Sequence, residues 1–318
     1  MIVAPRSVRR PRALVAAVPL LLVIAGACQS TAIDHDATTR AAVAAPHALT
    51  ESASLWTRQL DLDRTEPSLK LSPHRVTYFA GHYSDEPNAA SNPSPQFDLE
   101  HGELEFQFSV KTRLPLGLER SDGVPDLWFG YTQQAHWQVG QPSGPFRETN
   151  YEPEGFLLWP ARTWGEWGPV ELKALGVGVS HQSNGRGGAT SRSWNRVIGQ
   201  LAFEFGDATT MLLRPWWRIP ESQFNDNNPD LGDYMGDGDL ALEHSFQWLG
   251  FDLSAGALVR NNLDSHPNRG AVEAWLAGPF LHPRLNWYLQ GFSGYGETLI
   301  DYDHRQQTIA VGITLRDW

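Results

Sequence analysis

The sequence predicts an all-β protein, a twelve-stranded antiparallel transmembrane β-barrel. Three observations support this fold class. Apolar and polar residues alternate along many segments. The 318 residues include 29 glycines and 13 tryptophans, while only 19% are charged. Beyond the N-terminus no segment is apolar enough for a spanning helix, and such a chain can cross a membrane only as a closed barrel.

The N-terminal segment, residues 1–27, has the features of a secretory signal peptide: four arginines, an apolar run from Ala13 to Ala25 and a small-residue end. Cleavage after Ala27 would leave Cys28 at the new N-terminus, where it could carry a lipid. Ordinary signal-peptidase cleavage, with Cys28 incidental, is an equal alternative. Residues 28–72 are rich in Ala, Thr, Ser and Asp without a sustained period, so we expect a flexible periplasmic extension before a barrel at 73–318.

The composition excludes several functions. The chain has 36 acidic and 25 basic residues and a net charge of −11, which argues against nucleic acid as a partner. Its single cysteine, Cys28, can build neither a disulfide framework nor a thiolate metal site. The single histidines His74, His136, His244 and His282 show no ligand spacing, so we expect interfacial or structural roles for them.

Strict alternation marks the first and last long strands. From Gly102 to Thr112, apolar residues face one side, while Glu103, Glu105 and Lys111 face the other and are expected to form a charged network inside the barrel. The alternation recurs from Thr308 to Leu315, and an aromatic residue follows at 318. We count about twelve such segments between residues 74 and 318, which fits strands of about ten residues with unequal loops.

The connections between these segments alternate in length. Turns such as 205–207 and 248–250 are tight, whereas Gly140–Thr149, Asn184–Ser193 and Glu221–Tyr234 are long and polar. Short turns at one rim and long loops at the other are typical of outer-membrane barrels. A soluble β-sandwich is the alternative, and the signal peptide argues against it.

Three polar residues end the apolar face of two neighbouring predicted strands, at the long-loop rim. His181 and Ser183 are two apart on one strand and therefore share a face, and Asn195 begins the antiparallel neighbour. Such a trio can act as base, nucleophile and orienting residue for attack on a carbonyl. By spacing alone, a hydrogen-bonded polar cluster at the rim is the simpler interpretation.

Five stretches carry long motifs in a fixed order: 181–186, 190–196, 145–153, 293–297 with 299–302, and 228–230 with 234–236. In these motifs and their spacings the sequence resembles the outer membrane phospholipase A family. The resemblance covers roughly residue 73 to the C-terminus. Members are twelve-stranded outer-membrane barrels that hydrolyse acyl esters of phospholipids and lysophospholipids. They depend on calcium and are active as homodimers.

The resemblance implies roles for individual residues of this sequence. Ser183 matches the nucleophile, His181 the base and Asn195 the orienting residue. Gly185 matches the residue whose backbone N–H helps to bind the oxyanion. Gln133, which lies on the apolar face of its strand, matches a glutamine of the dimer interface; an amide kept wet by headgroups is the alternative.

The resemblance also implies a calcium site shared between two subunits. Ser143 fits the ligand on one subunit, and the backbone carbonyls of Arg186 and Ser191 fit those on the other, where calcium and its waters assist the oxyanion. Gly188 and Asn227 stand where the family often has acidic residues, although Asp226 is adjacent to Asn227, so a second, monomer-type calcium site is less well supported.

The sequence therefore predicts a calcium-dependent phospholipase A of the outer membrane, with A1, A2 and lysophospholipase activities and with phospholipid substrates. Its chemistry would use a Ser-His-Asn triad and an acyl-enzyme. The alternative from another class is a non-catalytic structural or transport barrel. A different lipid hydrolase, such as a lipid A deacylase, agrees less well with the long motifs.

Overall fold

The structure of the protein is a computed structural model that describes residues 69–93, 96, 98–116, 123–160, 166–222, 226–282 and 284–315. The predicted signal peptide, Cys28 and nearly all of the predicted extension lie outside the described residues. The first strand, β1 (Leu71–Pro73), pairs with the strand that begins at Gly102. Ordered pairing therefore starts two residues before the expected boundary at residue 73.

Twelve antiparallel strands form a closed barrel, as the sequence predicts. The strands are β2 (Tyr78–Ser84), β3 (Gly102–Leu114), β4 (Asp126–Trp137), β5 (Phe146–Pro160), β7 (Val170–Ser183), β8 (Ser193–Phe205), β9 (Thr209–Arg218), β10 (Gly238–Trp248), β11 (Phe251–Asn261), β12 (Gly270–His282), β13 (Leu285–Tyr295) and β14 (Arg305–Leu315). A two-residue strand, β6 (Glu166–Trp167), pairs with β7. Closure comes from β2, which pairs with both β14 and β3.

The only regular α-helix in the described part of the chain is short: α1 (Leu231–Met235), in the loop between β9 and β10. Leu231 and Met235 are buried there against Trp194 and Trp216, in a cluster at the end of the barrel. No helix in the described ranges is long and apolar enough to cross a membrane.

The two faces of the barrel differ in polarity, as the alternation predicts. On β3, Glu103 and Glu105 are buried inside, whereas Phe108 is exposed on the outer surface. On β7 the outward residues Val177 and Val179 are among the exposed apolar side chains. An apolar exterior around a polar interior is the arrangement of a membrane barrel.

An ion-pair network fills the interior near the loop-rich rim. The guanidinium of Arg147 on β5 donates to both carboxylate oxygens of Glu103 and, over 2.6 Å, to Oδ2 of Asp301 in the loop between β13 and β14. All three residues are buried. Burial alone would raise the pKa of Asp301, but Arg147 and hydrogen bonds from Thr298 and Asn88 hold that pKa below its usual value.

One predicted loop is shorter than expected. The segment Gly140–Thr149 was expected to be a loop, but β5 begins at Phe146, so Arg147 and Thr149 lie in a strand. The connection spans residues 138–145 only. Arg147 and Glu148, two of the polar residues that suggest a loop in the sequence, are buried side chains of a strand in a polar interior.

Candidate catalytic site at the loop-rich rim

The β7–β8 hairpin brings His181 and Asn195 directly opposite each other. They are register partners, and Nδ1–H of the imidazole donates to Oδ1 of Asn195 over 2.9 Å. This hydrogen bond places the ring proton on Nδ1 and leaves Nε2 as a proton acceptor. The sequence prediction that the hairpin places this amide beside the imidazole is thus met in the geometry.

The neighbouring pair of inward residues, Gln182 and Trp194, is hydrogen-bonded in the same register. Gln182 and Trp194 are also direct partners, and indole Nε1–H donates to Oε1 of Gln182 over 2.8 Å. The Trp194 side chain is completely buried. Because side chains alternate across a strand, an inward bond at 182 and 194 directs residues 181, 183 and 195 outward.

Ser183 shares the outward face with His181. The imidazole is exposed, and Ser183 and Asn195 are half-buried. Among the described residues, the Ser183 hydroxyl has no hydrogen-bond partner. Its proton is therefore not committed to a structural contact.

Glu221 holds the far end of the Asn195 amide. Nδ2 of Asn195 donates to Oε1 of Glu221 over 3.1 Å. Backbone pairing continues past the end of β9, because the Ile219 N–H donates to the Asn195 carbonyl over 2.8 Å. Hydrogen bonds thus connect His181 to Asn195 and Asn195 to Glu221. Sequence reasoning missed Glu221, which stands at the start of a predicted loop.

The loop that joins β7 to β8 is organised by the buried amide of Asn184. Its Oδ1 accepts from the N–H groups of Arg186 (3.3 Å) and Arg192 (3.0 Å), and its Nδ2 donates to the Thr190 carbonyl over 2.9 Å. Gly185 takes a φ of 65°, a left-handed conformation that favours glycine. Within the described residues the Gly185 N–H donates no hydrogen bond, so it can serve a ligand.

The residues expected to hold calcium lie in two loops. Ser143 is exposed in the β4–β5 loop with a φ of 65°. The Arg186 guanidinium forms an ion pair with Glu148 over 3.2 Å, and the Arg186 carbonyl accepts no hydrogen bond from a described residue. The Ser191 carbonyl accepts from Nη1 of Arg192 over 2.8 Å, so a positive group already stands at this oxygen. A hydroxyl and two carbonyls are oxygen donors of the kind calcium prefers.

The loop before α1 offers less to a cation. Asp226 accepts from Nη2 of Arg218 over 2.7 Å and from the Asn228 N–H over 3.1 Å. This carboxylate is therefore committed to the loop itself. The observation agrees with the weak sequence support for a monomer-type calcium site at Asn227.

A groove of about 340 Å³ lies beside the imidazole on the outer wall. Apolar side chains line much of it, while His181 and Asn195 supply polar groups; the apolar ones are Phe129, Pro153, Val179 and Ile219. A groove with apolar walls beside an imidazole suits a ligand that is largely apolar and carries a polar group near the ring.

Gln133 faces outward on β4 and is half-buried. Its Oε1 accepts from the Tyr131 hydroxyl over 3.0 Å. Its side-chain N–H groups donate to none of the described residues. Phe108 and Tyr151, its register partners on β3 and β5, are exposed apolar neighbours. Two unused donors in an apolar surface are costly in lipid and would gain a partner at an interface.

The sequence matches a family model described as phospholipase A1 over residues 55–315. The phospholipase A1 of Escherichia coli K12 is 36% identical over 220 residues, which cover 68% of this chain and 70% of that protein. A relative from Neisseria meningitidis serogroup B is 38% identical over 219 residues. That alignment covers 68% of this chain but only 55% of the relative, so the chain spans about half of that protein.

Two solved structures are similar in fold. The outer membrane phospholipase A of Escherichia coli aligns with a TM-score of 0.69 and 31% identity, covering 79% of this chain and 94% of that one. The Salmonella typhi outer membrane phospholipase, solved as a dimer with bound calcium, aligns with a TM-score of 0.69 and 31% identity. That alignment covers 81% of this chain and 96% of the other.

Proposed function

This chain belongs to the phospholipase A1 family, and we propose that it hydrolyses the acyl esters of glycerophospholipids and lysophospholipids in the outer membrane. One observation carries the proposal: His181 donates to Asn195 over 2.9 Å, on the same outward face as Ser183 and beside an apolar groove. The signal peptide at 1–27 and its cleavage belong to the proposal, as do the A1, A2 and lysophospholipase activities.

Ser183 is the nucleophile of the proposed reaction. Its Oγ attacks the ester carbonyl carbon, and Nε2 of His181 takes the hydroxyl proton. The tetrahedral intermediate collapses as the protonated imidazole gives this proton to the leaving alkoxide of the lysophospholipid. Water, activated by His181, then attacks the acyl-enzyme, and the fatty acid leaves.

The oxyanion of each tetrahedral intermediate needs donors that are in place before the reaction. The Gly185 N–H is suited to this role, since no described residue takes its hydrogen bond. Asn184 would hold the surrounding loop, through its contacts with Arg186, Thr190 and Arg192. Asn195 orients the imidazole, and Glu221 keeps the amide oxygen turned toward the ring by accepting from the amide nitrogen.

The Salmonella typhi relative is a dimer with bound calcium, and we extend both properties to this chain. Ser143 of one subunit, with the Arg186 and Ser191 carbonyls of the other, would hold the ion. Bound calcium supplies positive charge near the developing oxyanion. Arg192 would release the Ser191 carbonyl at the same time, and Gln133 would lie in the dimer contact.

The test compares purified wild-type barrel with Ser183→Ala in detergent, with calcium or with a chelator. We expect ester hydrolysis that needs calcium and falls by about 10⁴-fold in the variant, since nucleophile removal costs most of the catalysis. Ser245→Ala, a half-buried serine on β10, is the control and should keep full activity. Activity that survives both Ser183→Ala and the chelator would overturn the mechanism. A folded, cross-linkable dimer without hydrolysis would instead favour the non-catalytic barrel.

A further inference from the structure

Three adjacent strands bring two histidines and a glutamate together inside the barrel. His82 on β2, Glu105 on β3 and His136 on β4 each offer one ligand atom, and these atoms lie within 4.8 Å of one another. All three side chains are buried, with 3%, 0% and 0% of their surface exposed. The cluster lies on the inner face, opposite in direction to the outward rim residues.

Each histidine has one ring nitrogen held by a carboxylate and the other left without a hydrogen bond. Nδ1–H of His136 donates to Oε1 of Glu103 over 2.9 Å, and Nε2–H of His82 donates to Oε1 of Glu297 over 3.2 Å. The remaining nitrogens, Nε2 of His136 and Nδ1 of His82, are buried and have no hydrogen-bond partner. A carboxylate that fixes one ring nitrogen is the usual support for a metal-binding histidine.

The two carboxylate oxygens of Glu105 also differ in their hydrogen bonding. Its Oε1 accepts from the Tyr78 hydroxyl over 2.5 Å and from Nε2 of Gln134 over 3.0 Å. Its Oε2 is buried without a hydrogen-bond partner. Thus three buried polar atoms, one from each strand, have no hydrogen-bond partner in the described structure, although Nδ1 of His82 lies 3.5 Å from Oε1 of Glu103. Leaving buried polar atoms unsatisfied is costly, so such a convergence is unusual without a ligand.

The negative charge of the buried carboxylates around this cluster also favours a bound cation. In the described part of the chain, the ion-pair contacts of Glu105 and Glu297 are to histidines only, at 3.7 and 3.2 Å. With the two imidazoles neutral, these buried carboxylates have no cationic partner. A divalent cation would balance both charges, and burial of unbalanced carboxylates is strongly disfavoured.

We propose that His82, Glu105 and His136 bind a divalent transition-metal ion of the zinc type inside the barrel. Two imidazole nitrogens and one carboxylate oxygen are a typical zinc set, with a fourth position left for water. Calcium, by contrast, prefers oxygen ligands alone. The ion would join β2, β3 and β4, so its role is structural. The proposal is independent of the proposed hydrolysis.

The test measures metal retained by the untagged, folded full-length protein. The chain is unfolded with a chelator, refolded in detergent with Zn²⁺, desalted and analysed by mass spectrometry for zinc per chain. We expect about one zinc per wild-type chain and at least a tenfold loss of retained zinc in Glu105→Gln, which keeps the side-chain volume. The double variant His82→Gln, His136→Gln should lose the retained zinc as well. Folded chains are identified by the change in their gel mobility on heating, and only folded preparations are compared.

His74→Gln is the matched control, because His74 is another enclosed histidine, paired with Glu154 outside the cluster. It should keep the wild-type zinc content. Co²⁺ refolded into the protein should give the visible absorption of a low-coordinate nitrogen–oxygen site, absent in Glu105→Gln. Folded wild type without zinc, or folded Glu105→Gln with wild-type zinc, would overturn the proposal. The first result would mean that protonated histidines balance the carboxylates.

Discussion

The outward rim site and the interior below it are built in opposite ways. At the rim, His181 is exposed, Ser183 lacks a hydrogen-bond partner among the described residues, and Asn195 makes one contact at each end of its amide. In the interior, the single guanidinium of Arg147 donates hydrogen bonds to Glu103, Asp301 and Ser91. All four residues are buried. The site that would meet substrate is sparsely bonded, whereas the scaffold is densely bonded.

This difference separates stability from chemistry along the same strands. Outward side chains are held in position by backbone pairing and by few polar contacts, so they remain available to a lipid or to a second subunit. Inward side chains carry the cost of buried charge, which ion pairs such as those of Arg147 with Glu103 and Asp301 offset. Substitutions on the two faces should therefore affect different measurements.

The largest effect is expected from breaking the interior network. Arg147→Met leaves the carboxylates of Glu103 and Asp301 buried without their cation, and removing one partner of a buried ion pair costs about 3–5 kcal/mol. The free energy of unfolding, measured by urea titration in detergent, should fall by this amount. Arg305→Met, at the exposed start of β14, is the control and should change stability little. A fall of less than about 1 kcal/mol for Arg147→Met would show that the two faces do not differ as described.

A smaller effect is expected at the rim, and on catalysis only. Glu221→Gln removes the charge that fixes the Asn195 amide, which weakens support for the imidazolium formed in the transition state. We expect kcat to fall about tenfold, equal to about 1.4 kcal/mol, with KM and unfolding free energy unchanged. Asp207→Asn, at the tight β8–β9 turn, is the control. A rise in KM with unchanged kcat would mean that Glu221 contributes to substrate binding instead.

The smallest effect is expected at the outer wall. Gln133→Leu makes the surface more compatible with lipid but removes the amide donors that a second subunit would satisfy. Such contacts in membranes contribute about 0.6–1.7 kcal/mol. We therefore expect the dimer dissociation constant, measured by cross-linking across protein concentrations with calcium, to rise about 3- to 18-fold. Val311→Leu on β14 is the control. An unchanged or tighter dimer would remove Gln133 from the interface.

The sequence predicts the barrel well because one rule, alternation, governs every strand. It placed Glu103 and Glu105 inside and His181 and Asn195 outside, and these positions agree with the structure. The same rule could not place the end of a strand whose inward residues are polar. For this reason the segment around Arg147 was expected to be a loop.

The contacts missed from the sequence depend on register between strands. Glu221 reaches Asn195 only because backbone pairing extends beyond β9 to Ile219. His82 and His136 are 54 positions apart in the printed sequence and meet because β3 pairs with both their strands. Spacing along the sequence carries no information about such a contact, so His136 shows no ligand spacing there.

The Gln182–Trp194 hydrogen bond stabilises the register in which His181, Ser183 and Asn195 face outward. A slip of one residue between β7 and β8 would exchange the faces, turning residues 181 and 183 into the polar interior and bringing residue 182 out to the lipid. Backbone hydrogen bonds could form in the slipped register, but His181, Ser183 and Asn195 would no longer share the outward face. Under the proposed function, lipid hydrolysis would therefore require correct assembly of this hairpin, and a barrel with the slipped register would not hydrolyse the membrane that contains it.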